Sequence, residues 1–290
     1  MSMRRIIIRM VFLGVTILII PLLPILIIFL GISSPEYVIY GTLNLDVSQS
    51  LSAWEIYTNF LKNIISFDYG TSISSGQPVI SEVFTAIGES IKSMVIALFL
   101  SFTIGTAAGI FSVKSKKLKN FITCIEFVFY IPMIVFSYLI IYLLDLIGIN
   151  FLSDIRYIFA GFILSIYPFY IITKSLNKTI LEIKKSEFFF FHTSLGFEER
   201  EIWKKFCMRY IFIDYLSFFE NVIIFMFGFI FFVETPFGIN GIGYRFVQGI
   251  QRFDYPIIIG FCTFSIILFS IIGIITETIK MRIDPRVINE

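Results

Sequence analysis

Lys174 to Arg209 reads KSLNKTILEIKKSEFFFFHTSLGFEEREIWKKFCMR, a polar island between long apolar runs. Basic residues recur through it, and two short helical patterns meet at Gly196. Everything around it is suited to lipid, so the island reads as the place where a membrane protein meets something soluble. The composition supports that frame. Hydrophobic residues make up 57% of the chain and charged residues 15%, with a mean hydropathy of +0.88. A soluble domain carries about 25% charged residues and lacks repeated apolar runs of membrane-spanning length. The net charge of +2 is too small to point to nucleic acid, and its distribution is more informative than its sum. Cys124, Cys207 and Cys262 lie far apart and His192 is the sole histidine, which excludes a zinc cluster, CxxC redox chemistry and a disulfide framework. The three cysteines read as small apolar residues.

An apolar helix of about 20 residues crosses the hydrocarbon core. Outward from the island, six runs qualify: Met10 to Ile32, Ser93 to Val113, Phe121 to Ile147, Tyr157 to Thr173, Phe212 to Val233 and Pro256 to Ile279. Pro21, Pro24 and Pro132 fall inside them and are tolerable where neighbouring helices satisfy the freed backbone groups. The first run follows Arg4, Arg5 and Arg9, but it exceeds the roughly 7–15 apolar residues of a signal peptide and no A-x-A-like site follows. It is expected to stay as a span. Cytoplasmic loops carry the excess of Lys and Arg. Placing the N-terminus inside puts Arg4, Arg5, Arg9, the Lys114 to Lys119 cluster, the basic residues of the island, Lys280, Arg282 and Arg286 on the inner side. Only Lys62, Lys92, Arg156, Arg245 and Arg252 then remain outside. Both termini and the island are thus expected in the cytoplasm of a cell-membrane protein. The expected organisation is a tail and first span (1–32), an outer segment (33–92) and a core of five spans (93–290) that includes the loop 174–211.

Within the outer segment, Ser52-Ala53-Trp54-Glu55 forms a capping-box pattern, with Leu51 and Ile56 placed for a hydrophobic staple. Trp54, Tyr57, Leu61, Ile64 and Ile65 then share one helical face. This predicts a short amphipathic helix, either lying in the outer headgroup zone or packed on the outer ends of the bundle. A second outer segment, Glu234 to Tyr255, is rich in glycine and polar residues.

The chain has no GxxxxGK[ST] phosphate loop and no HExxH motif, so neither P-loop ATP binding nor a zinc protease site is available. Gly238, Gly241 and Gly243 lack a strand-turn-helix context and read as turn glycines. No catalytic residue, metal site or cofactor is expected. Glu126 and Glu220 fall deepest within the spans. A carboxylate at membrane depth marks a pathway or proton relay, or else is a protonated or hydrogen-bonded packing residue. Both readings stand, and the first would support an ATP-independent carrier or channel.

Val233 to Gly260 reads VETPFGINGIGYRFVQGIQRFDYPIIIG, and Ile283 to Arg286 reads IDPR. Earlier, Phe67 to Val79 reads FDYGTSISSGQPV. Together these stretches resemble the dipeptide, oligopeptide and nickel permease family of ABC importers, in the first permease type of the pair. The matching residues are Glu234, Thr235, Phe237, Gly241, Gly243, Asp254, Tyr255 and Pro256, then Asp284, Pro285 and Arg286. Gly70, Thr71, Ser72, Gly76, Pro78 and Val79 carry the earlier match. The resemblance implies an all-α integral membrane protein with the six-helix type I ABC-importer permease fold. It also implies a second homologous permease, two cytoplasmic ABC ATPases that bind the ATP, and an extracytoplasmic solute-binding protein. The island then corresponds to the loop that couples permease to ATPase, with Glu187, Phe190, Phe191, His192, Gly196, Glu198 and Glu199 as its candidate contacts. The family pattern there is acid-Ala-Ala, three residues, then Gly. Phe190, Phe191 and His192 occupy the first three positions, and Asp214 stands where the family carries a proline.

Independently of the resemblance, Gly196 is suited to the left-handed C′ position that ends a helix. Glu198 and Glu199 fall in the next first turn, favourable for its dipole. Glu201 and Lys205 are spaced for an i,i+4 pair. Phe188 to Phe191 cannot all face one way, so some of these rings must meet lipid, the bundle or a partner.

Overall fold

The computed structural model describes residues 53–66, 68–126, 131–148 and 154–283, with isolated helical positions between Ile7 and Ile19. The first apolar run, Phe67 and the Asp284-Pro285-Arg286 motif lie wholly or largely outside the described residues. The described chain is helical, its one strand-like feature being an isolated bridge between Thr71 and Pro78. In order, the helices are α1 (Ala53–Ile65), α2 (Val79–Ser112), α3 (Lys116–Ile125), α4 (Met133–Leu146), α5 (Ile155–Lys185) and α6 (Glu187–Ser194). They continue with α7 (Glu199–Ile202), a π-helical turn at Trp203–Cys207, α8 (Met208–Phe229), α9 (Phe231–Phe237), α10 (Ile242–Gln251) and α11 (Tyr255–Ile283). Among the described residues, α2, α5, the continuous Glu199–Phe229 helix and α11 are long and apolar enough to cross a bilayer, and α4 is a shorter apolar helix.

Four apolar runs have boundaries other than those their hydropathy suggests, the fifth because its helix runs from Glu199 to Phe229 rather than from Phe212 to Val233. The second starts at Val79 rather than Ser93, because nothing in residues 79–92 breaks a helix. The third is two helices, not one. Pro132 is the N-cap of α4 with ψ 131° rather than an interior residue, since its ring and missing N–H oppose a preceding helical turn. The fourth runs on to Lys185, so Lys174–Lys185 of the polar island is the end of α5 and not part of a separate hairpin. Polar residues do not stop a helix. At 31 residues α5 is about 46 Å long, well beyond a hydrocarbon core of about 30 Å, so its charged end projects past lipid.

The chain divides into two units, 1–90 with 238–278 and 286–290, and 91–237 with 279–285. In the first, Tyr69, Val79, Val83, Ile242, Ile257 and Phe261 are buried. Gly260 lies so near Val79 that an added Cβ would sit 2.5 Å from its Cγ1. In the second unit small residues bring α2 and α5 together. A Cβ on Gly161 would stand 2.7 Å from the Ser93 carbonyl oxygen, and one on Gly105 would stand 3.3 Å from Ile172. Close backbone approach of this kind is how helices gain packing in lipid, where apolarity alone gives no attraction. Polar side chains add to it. Thr173 Oγ1 donates to the Gly105 carbonyl at 3.1 Å, and Asn177 Nδ2 donates to Ser112 Oγ at 2.7 Å.

Candidate functional site

Two clusters stand out, one in each unit. The first is assembled from motifs that lie far apart in sequence. Gly70 and Gly76 have positive φ, 76° and 68°, and allow residues 70–79 to fold into a tight loop. Ser72 N–H donates to the Gln77 carbonyl, Gly76 N–H to Ser72 and Val79 N–H to Gly70. This loop closes onto Asp254, which is fully buried. Ser72 Oγ donates to Asp254 Oδ2 at 2.7 Å and Ser74 N–H to the same oxygen at 2.9 Å. Oδ1 is buried without a hydrogen-bond partner among the described residues. Asp254 also directly precedes α11, where a negative charge meets the positive end of the helix dipole.

Next to it, Glu82 is buried and accepts from Ser75 Oγ, and its other oxygen lies 3.6 Å from the Arg245 guanidinium. Ser90 Oγ accepts the Ile242 N–H at 2.8 Å, tying the start of α10 to α2. Tyr255 and Pro256 are buried at the start of α11. The two motif stretches around Ser72 and Asp254 are therefore one site. Glu82, Ser90 and Arg245 belong to it too, but sequence reading gave them no signal because each is an ordinary residue until its partner, more than 150 positions away for Ser90, is known.

The remaining motif residues sit differently. Glu234, Thr235 and Phe237 are in α9 of the other unit, with Glu234 fully buried and Phe237 buried. Of the three glycines read as turn-makers, only Gly238 has positive φ, at 60°. Gly241 is the extended N-cap of α10 (φ −87°, ψ −169°), and Gly243 is buried within that helix, so neither makes a left-handed turn.

The second cluster is the hairpin. Ser186 caps α6, its Oγ accepting the Phe189 N–H at 3.3 Å. Gly196 has φ 86°. Its N–H reaches the Thr193 carbonyl at 3.0 Å, and Phe197 N–H reaches that of His192 at 3.3 Å. That paired pattern is a Schellman motif with Gly196 at C′, and the Phe197 and His192 rings supply its usual side-chain contact at 6.0 Å. Glu198 then stands at the N-cap position of α7 without a side-chain capping bond, one residue before the first turn expected for it, and Glu199 begins the helix.

Phe189, Ile202 and Cys207 form a small buried core, with Ile183, Phe197 and Trp203 against it. Burying a Phe of this kind contributes roughly 1.5–3 kcal/mol. Glu199 ties the hairpin back to α5: its Oε1 lies 2.6 Å from Lys184 Nζ and accepts from Trp203 Nε1 at 3.3 Å. The expected Glu201–Lys205 pair forms at 3.7 Å. Phe190 and Phe191 point out, at 65% and 60% exposure, and Glu187 is exposed as well. Asp214, in the position where the resembled family has proline, accepts from Thr179 Oγ1 at 2.7 Å and pins α8 to α5.

The two intramembrane candidates are less secluded than their sequence positions suggest. Glu126 ends α3, is partly exposed and lies 3.5 Å from Lys174. Glu220 is partly buried in α8. Among the described residues no group of His, Cys, Asp or Glu could hold a metal ion.

Several apolar helices long enough to cross a bilayer, held together by small-residue contacts and hydroxyl bonds, define a multi-pass membrane protein. The chain belongs to the family described as binding-protein-dependent transport system inner membrane component, whose model matches residues 101–289. It is 24% identical over 245 residues to the dipeptide transport system permease protein DppB of Lactococcus lactis subsp. cremoris, covering 81% of this chain and 80% of that one. It is 24% identical over 250 residues to the oligopeptide transport system permease protein AppB of Bacillus subtilis, covering 80% and 79%. A dipeptide permease DppB of Bacillus subtilis is 21% identical over 250 residues, covering 80% of this chain and 78% of that one. The chain is thus an ABC-importer permease subunit by family.

Proposed function

We propose that this chain is the transmembrane permease of an ATP-driven, binding-protein-dependent importer of a peptide-like solute. The observation that carries this reading is the hairpin: a capped, cored helix-turn-helix tied to a span and presenting two bare phenylalanines. The names of the relatives favour a peptide over a nickel or metallophore complex as cargo. In this reading the chain has six spans and both termini inside. It pairs with a second homologous permease and receives solute from an extracytoplasmic binding protein. Two partner ATPases bind and hydrolyse the ATP, so the chain itself has no catalytic residue and no cofactor.

The mechanism follows from how the hairpin is attached. Closure of ATPases docked on residues 182–210 displaces α6 and α7. The Schellman turn and the Phe189–Ile202–Cys207 core make the hairpin move as one body. Lys184–Glu199 and Thr179–Asp214 pass that movement to α5, and α8 continues directly from the π turn. Re-packing of these spans opens the pathway to the other side, and hydrolysis resets it. Asp254, Ser72, Glu82 and Arg245 brace the outer segments next to which solute is handed over. A carrier built on secluded carboxylates draws no support from Glu126, which is partly exposed and paired with Lys174.

The test is Gly196→Pro in the assembled transporter. Proline cannot adopt φ near 86° and removes the N–H that bonds Thr193. Membrane insertion should be unchanged while uptake and transport-coupled ATP hydrolysis are lost. Gly196→Asn, which tolerates the left-handed region, should retain most of both. Normal uptake by the proline variant would sink the mechanism.

A further inference from the structure

A cavity of about 310 Å³ opens at the root of the hairpin, where the end of α2, the end of α5 and the start of α8 meet. Its wall is aliphatic, from Ile110, Val113, Ile180 and Ile211, with Trp203 and Met208 at its side. Its polar groups are Lys114, Lys184 and Glu199. Ile110 and Met208 are also exposed, at 48% and 56%, so the cavity opens onto an apolar surface. It is a pocket with an oily interior and a cationic mouth, at the level where a bilayer-crossing helix gives way to charged sequence.

The charges at that mouth are unbalanced. Glu199 is already engaged by Lys184 and Trp203, and Lys114 acts on it only through space as a weaker influence. Among the described residues Lys114 has no carboxylate within ion-pair distance, and neither have Lys116 and Lys117 just beyond it. All three are exposed. Lys184 keeps donors beyond the one given to Glu199. Acyl chains are as apolar as leucine side chains, so the aliphatic wall cannot select among lipids, and selection falls to the lysines. Lysines at a membrane surface attract anionic headgroups, each strengthening binding by about five-fold.

We propose that this cavity is a binding site for an anionic phospholipid, its acyl chain against Ile110, Ile180 and Ile211 and its phosphate at Lys114. The lipid sits beside the π-helical turn at Trp203–Cys207, a local departure from α geometry of the sort that often marks functional positions. A bound lipid therefore lies against the joint between hairpin and span. The site does not depend on the ATPase reading, because it is defined by binding to the permease alone.

Trp203 gives a direct readout, since the chain's only other tryptophan is Trp54. The full chain carrying Trp54→Phe is placed in phosphatidylcholine nanodiscs with a small fraction of a lipid brominated on its acyl chain. Brominated phosphatidylglycerol should quench Trp203 at a mole fraction at least about five-fold lower than brominated phosphatidylcholine, five-fold being the share of Lys114 alone. Lys114→Gln, together with Lys116→Gln and Lys117→Gln, should abolish that preference without changing the circular dichroism spectrum. Val113→Phe, which fills the cavity, should reduce quenching by both lipids. Equal quenching by the two lipids in the unsubstituted lysine background would overturn the proposal. So would a preference that survives both sets of substitutions. If lipid identity has no effect while added partner ATPase shields Trp203, the cavity is a protein interface and the proposal fails. An uptake defect in Gly196→Pro with normal lipid preference would separate this site from the transport mechanism.

Discussion

Replacing Asp254 with alanine should release the loop at residues 70–79. The carboxylate accepts two bonds, from Ser72 Oγ at 2.7 Å and Ser74 N–H at 2.9 Å. Bonds to a charged group contribute about 1.5–3 kcal/mol each. Against that stands the cost of keeping a fully buried charge whose Oδ1 has no hydrogen-bond partner among the described residues. The start of α11 offsets part of the cost, by up to about 2 kcal/mol in a buried setting. The balance is a loss of about 3 kcal/mol in local opening free energy. At about 1.4 kcal/mol per factor of ten, the amides of Ser74, Gly76 and Val79 should exchange roughly 100-fold faster.

Hydrogen exchange read by mass spectrometry on the purified chain in nanodiscs measures this directly. Asp254→Asn keeps an acceptor oxygen but loses the charge assistance that about doubles such bonds, so its rate should rise only about ten-fold. The α6–α7 hairpin should be unaffected in both. If alanine leaves exchange of the 70–79 loop within about three-fold of the parent, Asp254 does not hold it, and the bracing assigned to this cluster is wrong.

Arg245→Met should leave the buried Glu82 carboxylate without its counter-charge and destabilise the chain by about 1–3 kcal/mol in detergent denaturation, less than for a fully buried pair because Arg245 is partly exposed. Adding Glu82→Gln should recover most of that loss, and a failure to recover it would show that Arg245 acts elsewhere. Gly161→Val should force α2 and α5 apart at Ser93 and Ile96, costing about 1–3 kcal/mol and lowering the melting temperature, whereas the same change at the open Gly88 should be far milder.

Much of this was legible in residues. Gly196 at a helix C′ position, Glu199 in the following first turn and the Glu201–Lys205 pair all follow from local rules that act within six residues, and all are present. The helix boundaries were less legible. Hydropathy marks where lipid begins, but a helix stops only where its backbone is capped or broken. Thus α5 runs through Lys174 to Lys185, and the third apolar run breaks at Pro132. The pairing of Ser72 with Asp254 was invisible for another reason. The two motifs were recognisable separately, but a hydrogen bond across 182 positions depends on how helices pack, and no local pattern encodes it. The π turn at Trp203–Cys207 has no sequence mark at all.

The hairpin also shows which parts of the family pattern serve the fold. Its internal order rests on the Ser186 cap, the Gly196 turn, the buried Phe189 core and the Lys184–Glu199 tie. None of these needs a small residue at 191 or 192, the two alanine positions of the family pattern, where the chain carries phenylalanine and histidine. Glycine is kept where the backbone requires φ near 86°, whereas of the two alanine positions Phe191 points outward and His192 packs on the Phe188 and Phe206 rings at 4.2 and 4.5 Å. Two bare phenylalanines side by side are costly to leave in water, since covering each ring is worth roughly 1.5–3 kcal/mol. Under the proposed docking, the partner groove must therefore be wider and more apolar than one shaped for an acid at 190 and an alanine at 191. That constraint comes from the exposure of Phe190 and Phe191, and it makes the departure from the family pattern a statement about the partner rather than about the hairpin's fold.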